Sequence, residues 1–169
     1  VHSRIRAVFF LSICNLLPDL YFFSSLRPLF WKMAGVKISL AGKTQIRKNV
    51  WIDFPKNLEV HDGCYFNRGT IISAQEKIII EKNVTIAFNV GIHTIYHDNK
   101  SGVCGDKALP ITLKAGTLIY SNCIVLPGTI IGHNCDIYAG SIVKGEIESN
   151  SIVAGNPAKI LRFKEKDLT

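Results

Sequence analysis

A parallel β-helix, a triangular prism of about five coils, is the fold that this 169-residue sequence predicts. Three observations predict it. Leu113, Ile119, Val125, Ile131, Ile137 and Val143 place an aliphatic residue at every sixth position. Ile111, Thr117, Cys123, Thr129, Cys135 and Ser141 repeat with the same period two residues ahead. The ladder also continues upstream in triplets: Leu40, Ile46, Ile52; Val60, Phe66, Ile72; and Ile80, Ile86, Ile92. A six-residue period is neither the 3.6 of a helix nor the alternation of a strand. It means that one small unit is stacked on itself and that the stack supplies the core.

Three hexapeptides make one turn of the prism, each giving one inward side chain per face. The steps of eight from Ile52 to Val60 and from Ile72 to Ile80 read as two-residue corner insertions. Five coils at the ~4.8 Å spacing of paired strands make a column roughly 24 Å long. The chain then divides into an N-terminal segment, residues 1–35, a β-helix over 36–155, and a C-terminal tail over 156–169.

The N-terminal segment is basic and apolar. Residues 1–50 carry eight basic groups against Asp19 alone, a balance of +7, whereas residues 51–169 hold 12 of each sign. Arg6, Asn15, Pro18, Asp19 and Arg27 break any apolar run long enough to span a bilayer. Two short helices separated at Pro18 are expected. They either cap the open end of the prism, as an exposed sheet edge requires, or lie on an anionic membrane through residues 1–33. The basic residues are not interleaved with a nucleic-acid-binding motif, which argues against such a partner.

Five cysteines show no CxxC and no zinc spacing. Cys64, Cys123 and Cys135 fall on the second ladder and read as buried, reduced thiols. The expected compartment is the cytoplasm, with a peripheral position at the inner face of the membrane as its extension.

The step from Ile92 to Leu113 is 21, so about fifteen residues leave the prism as the loop 93–110. It is polar, departs from a stiff scaffold and contains His93 and His97. His97 is further out and followed by Asp98, whereas His93 follows Ile92 directly and turns at the prism wall.

Here the chain resembles the hexapeptide-repeat, left-handed β-helix acyltransferases, in the branch of the galactoside and maltose O-acetyltransferases and of capsule- or lipopolysaccharide-modifying enzymes. The resemblance covers roughly residues 36–163. It rests on NVTIAFNVGIHTIYHD before the loop, PITLKAGTLIYSNCIVLPGTIIGHNCDIYAGSIV after it, and the closing AGNPAKILR. It implies a left-handed coil and a homotrimer with active sites between neighbouring prisms. The implied activity is acetyl-CoA-dependent O-acetylation of a sugar or glycan, of a surface polysaccharide or its precursor, with no metal required. His97 matches the family's general base, suited to removing a hydroxyl proton near pH 7. Asn67 matches the asparagine that holds the acceptor hydroxyl, and Ser121 the residue whose backbone amide receives the oxyanion. Ser121, Ala139, Lys144 and Arg162 match positions along the coenzyme A groove, the last two as phosphate contacts.

The sequence also departs from the family. Leu118 stands where relatives often have Trp, Tyr138 where a small residue is common, and Asp98 where the galactoside branch has Pro. Other readings stay open on the residues: a γ-carbonic-anhydrase-like metal site using His61, His93 and His97, N-acetylation of an amino sugar or antibiotic, or a non-catalytic β-helix scaffold.

Overall fold

The computed structural model describes residues 2–98 and 105–165. Helices α1 (His2–Leu16) and α2 (Tyr21–Ala34) precede a parallel β-helix with three sheets. Face A stacks Lys37–Ile38, Leu58–Val60, Ile78–Ile80, Ile111–Leu113, Ile130–Ile131 and Glu146–Ile147. Face B stacks Gln45–Ile46, Tyr65–Phe66, Thr85–Ile86, Leu118–Ile119, Asp136–Ile137 and Ser151–Gly155. Face C stacks Trp51–Asp53, Ile71–Ser73, Gly91–His93, Ile124–Val125 and Ile142–Val143. Neighbours within each stack pair in parallel and in register, so like positions superimpose from coil to coil.

Both ladders point inward. Phe66, Ile72, Ile80, Ile86, Ile92, Leu113, Ile119, Val125, Ile131, Ile137 and Val143 are fully buried. So are Thr117, Cys123, Thr129, Cys135 and Ser141 two residues ahead. The buried hydroxyls are not orphaned: Thr117 Oγ1 donates to Gly132 O (2.9 Å) and Thr129 Oγ1 to Leu126 O (2.6 Å). Cys14, Cys64, Cys123 and Cys135 are free buried thiols; burial pushes Cys14 and Cys64 up to about 11, far from the reactive thiolate.

The first rung is not the expected one. Ile38 is buried and pairs with Val60, whereas Leu40 is exposed in the following corner. The step from Ile38 to Ile46 is therefore eight, a third two-residue insertion. The stack also runs past the fifth triplet: Ile147 and Val153 begin a sixth turn on faces A and B. After Gly155 the chain turns, and Ala158–Phe163 folds back antiparallel on Ser151–Gly155.

Helix α2 covers the open end of the first coil. Trp31 is fully buried and meets the Phe66 ring edge-on at 4.9 Å, closing the hydrophobic column. Arg27 is also fully buried and donates to the carbonyls of Cys14, Ile46, Leu17 and Pro18 at 2.8–3.3 Å. One guanidinium thus satisfies the free carbonyls at the end of α1 and ties both helices to face B. This removes Arg27 from the surface charge that composition alone assigns to the segment.

Candidate active site

The hairpin Ile95–Asp98/Gly105–Ala108 occupies the large break in the repeat, with His97 opposite Asp106 in its register. Its stem is pinned. Thr94 N and Oγ1 both donate to Ser73 O (3.0 and 2.9 Å), Glu76 N donates to Thr94 Oγ1 (3.1 Å), and Leu109 N donates to Thr94 O (2.8 Å). His97 lies exposed three residues beyond this clamp, a reach of about 10 Å. The edge it leaves from joins face C to face A.

Asn67, Ser121 and Ala139 lie on a different edge, the one joining face B to face C. Strand register aligns its first corner position as Arg47, Asn67, Ala87, Tyr120 and Tyr138. The second position is Lys48, Arg68, Phe88, Ser121 and Ala139. The third takes a left-handed backbone at Asn49, Gly69, Asn89, Asn122 and Gly140. Asparagine and glycine share that position because they tolerate positive φ better than other residues.

The second position is chemically special. Tyr120 N–H donates to Ile137 O and Asn122 N–H to Phe88 O, both at 2.9 Å. The Ser121 N–H between them has no backbone acceptor among the described residues. In the two lower coils the equivalent amides turn to side-chain oxygens: Lys48 N–H to Asp19 Oδ1 (3.4 Å) and Arg68 N–H to Asn67 Oδ1 (2.9 Å). The coil-one amide thus already faces a carboxylate oxygen, the kind of charge an oxyanion presents. Because Asn67 Oδ1 is engaged by Arg68 N–H, its amide NH₂ is the part left to meet a ligand. Above Asn67 the edge becomes apolar and aromatic, with Phe88, Tyr120 and Tyr138 exposed and the two tyrosines edge-to-face at 5.5 Å.

Lys144 stands on the C-to-A edge of the fifth coil, and Arg162 on the returning strand against face B, opposite Ile152. The proposed residues therefore do not converge within one chain. His97 and Lys144 flank one side of face C, and Asn67, Ser121 and Ala139 the other, roughly 20 Å away for a six-residue face. A cavity of about 460 Å³ lies between α1 and the first C-to-A corner, lined by Ala7, Val8, Leu11, Trp51 and Phe54 among others. None of these candidate residues is on its wall.

His61 sits on the third edge, against Glu59 Oε1 at 3.2 Å, apart from His93 and His97. The metal reading needs the three to converge, and a single chain does not bring them together. His93 belongs to the prism wall, where its ring lies over Gly91; a Cβ on Gly91 would stand 2.5 Å from Nε2. Burial lowers its pKa below the ordinary value, with Asp53 opposing. Sequence reasoning missed Asp53, Ser73 and His93 as a column on face C, in which Ser73 Oγ donates to Asp53 Oδ2 at 3.1 Å. Only strand register reveals it.

A family model described as bacterial transferase hexapeptide (six repeats) matches residues 110–145. The provisionally named acetyltransferase YJL218W of Saccharomyces cerevisiae is 37% identical over 123 residues, covering 70% of this chain and 63% of that protein. A second provisionally named acetyltransferase, DDB_G0275913 of Dictyostelium discoideum, is 37% identical over 129 residues, 73% of this chain and 67% of that one. The chain thus spans about two thirds of the length of these curated relatives. Among solved structures, a galactoside acetyltransferase in complex with coenzyme A superimposes with a TM-score of 0.80 at 25% identity, covering 96% of this chain and 80% of that one. The chain belongs to the left-handed β-helix family of hexapeptide-repeat acyltransferases, in the branch that includes galactoside acetyltransferase.

Proposed function

We propose that the chain is an acetyl-CoA-dependent O-acetyltransferase whose acceptor is a sugar hydroxyl of a surface polysaccharide or its precursor. The observation that carries this reading is the height of the pinned hairpin. His97 leaves from the third coil, Asn67 lies in the second and Ser121 in the fourth, about 5 Å per level. Copies related by rotation about an axis parallel to the stack keep those heights. A hairpin from one prism then enters between Asn67 and Ser121 of its neighbour, which supports a homotrimer with its sites between subunits.

In the reaction, His97 removes the sugar hydroxyl proton as the oxygen attacks the thioester carbonyl. The Asn67 NH₂ holds that hydroxyl oxygen, and the Ser121 N–H receives the tetrahedral oxyanion. Collapse breaks the carbon–sulfur bond, and the imidazolium returns its proton to the departing thiolate, giving the acetyl ester and free coenzyme A. The aromatic edge at Tyr120 and Tyr138 and the small Ala139 suit the pantetheine arm. Lys144 and Arg162 serve the phosphates.

The coenzyme A complex of the galactoside acetyltransferase supports the donor assignment. The test is acetyl transfer to a panel of glycans, read by thiol release and product mass. His97→Ala should lower turnover about 10²- to 10⁴-fold with the thermal midpoint unchanged; near-normal turnover would remove the assignment.

Among the described residues no helix is long and apolar enough to cross a membrane. The proposal places the enzyme in the cytoplasm, with the helical cap on the anionic inner face of the membrane. Supporting this, Ile5, Val8, Phe9 and Leu16 of α1 and Phe22, Leu29 and Met33 of α2 are exposed, with Arg4, Arg6 and Lys32 beside them.

A further inference from the structure

The B-to-C edge is electrically polarised along the stack. Coils three to five contribute Ala87, Phe88, Tyr120, Ser121, Tyr138 and Ala139, none of them charged. Coils one and two contribute Arg47, Lys48 and Arg68, which surround Asn67. Asp19, from the turn between the helices, is the carboxylate paired with both guanidiniums: Arg47 Nε lies 3.1 Å from Oδ1, and Arg68 Nε contacts Oδ2. Burial alone would raise the Asp19 carboxyl, but the Lys48 amide, Arg47 and Arg68 hold it below the usual carboxylate range. It is therefore an anion at neutral pH. Three cations against one carboxylate leave the edge with surplus positive charge.

The two guanidiniums differ in what they can do. Arg47 is largely covered, with 19% of its side chain exposed; its Nη2 donates to Asp19 Oδ2 at 3.2 Å, while its Nε is buried near Oδ1 without a hydrogen bond. Arg68 is 52% exposed and meets Asp19 through Nε, which leaves it the more accessible of the two guanidiniums, next in the chain to Asn67. A guanidinium oriented by a carboxylate behind it is prepared to receive a second oxyanion in bidentate fashion. Surface charge placed for solubility alone needs no such fixed orientation.

We propose that the acceptor carries an anionic group, a carboxylate or a phosphate, seated on Arg68 with Arg47 and Lys48 behind it. This rests on the acetyltransferase reading of the same edge and narrows its acceptor from sugars in general to acidic or phosphorylated ones. The anion anchors the sugar below Asn67 and leaves the reacting hydroxyl at the height of the hairpin.

The test compares methyl glucuronide, glucose 1-phosphate and neutral methyl glucoside as acceptors at fixed acetyl-CoA. The wild type should favour a charged acceptor over the neutral one at least tenfold in kcat/KM. The two charged probes tell a carboxylate from a phosphate. Arg68→Gln should reduce that preference tenfold or more, the size of a lost charge-assisted bond, while Arg68→Lys retains part of it. A thermal midpoint measured on each variant separates this from damage to the Asp19 cluster. Equal use of charged and neutral acceptors, or a preference indifferent to Arg68, overturns the inference and leaves acetyl transfer standing. Absence of transfer to every probe counts against the activity instead. Saturation-transfer NMR with the two charged probes then decides the anion site: Arg68-dependent binding keeps it, and no binding overturns it.

Discussion

At the scale of single residues, His97 and His93 show how place decides chemistry for one side chain. His97 is exposed on a hairpin, whereas His93 lies half-buried on face C, where burial lowers its pKa and Asp53 opposes. Unfolded, His93 titrates near about 6.5; folded, it titrates lower. Between those two values the unfolded chain holds the extra proton, so acidification favours unfolding. The His93 contribution is present in full above about 6.5 and is lost as the pH falls toward the folded value. The thermal midpoint should therefore drop between pH 7.5 and 5.5, and His93→Gln should make that drop shallower. An identical pH dependence in the variant would show that the imidazole is not responsible.

At the scale of elements, the helical cap combines two faces with different tasks. On α1, Ala7, Leu11 and Cys14 are buried, while Ile5, Phe9 and Leu16 repeat on the opposite side at helical spacing. On α2, Trp31 and Arg27 serve the inner face and Phe22, Leu29 and Met33 the outer one. Phe9→Glu with Phe22→Glu should lower co-sedimentation with phosphatidylglycerol vesicles several-fold and leave the prism folded, since neither ring supports the core. Retained binding would assign the outer face to something other than lipid. The repeat was legible in the sequence because every coil repeats the same inward demand. The first rung was misread because Ile38 and Leu40 are both aliphatic, and only pairing with Val60 tells which one turns inward. The hairpin was readable as a break in period but not as two strands, since its residues have no core face to pattern them. Arg27 was invisible as a hub because a buried guanidinium and a solvated one look alike in a string of letters.

For the whole molecule, the candidate site is divided across the width of a face, and that division has a consequence in mixtures. His97 and Lys144 lie on one side of face C, Asn67, Ser121 and Ala139 on the other. Within one chain the hairpin reaches about 10 Å beyond its clamp while the face is roughly 20 Å wide. Under the proposed mechanism, a chain deprived of His97 still offers an intact acceptor edge, and a chain deprived of Asn67 still offers an intact hairpin. Subunits of His97→Ala and Asn67→Ala, each weak alone, should therefore complement when unfolded and reassembled together. With random mixing in a ring, about a quarter of the interfaces pair a native hairpin with a native edge. Activity of the mixture should rise toward about one quarter of the native value, whereas a site contained in one chain would give only the average of the two parents. The same experiment run with Ser121→Gly in place of Asn67→Ala should show little complementation. That substitution keeps the backbone N–H to which the proposed mechanism assigns the oxyanion, so its parent chain should already be nearly as active as the native protein.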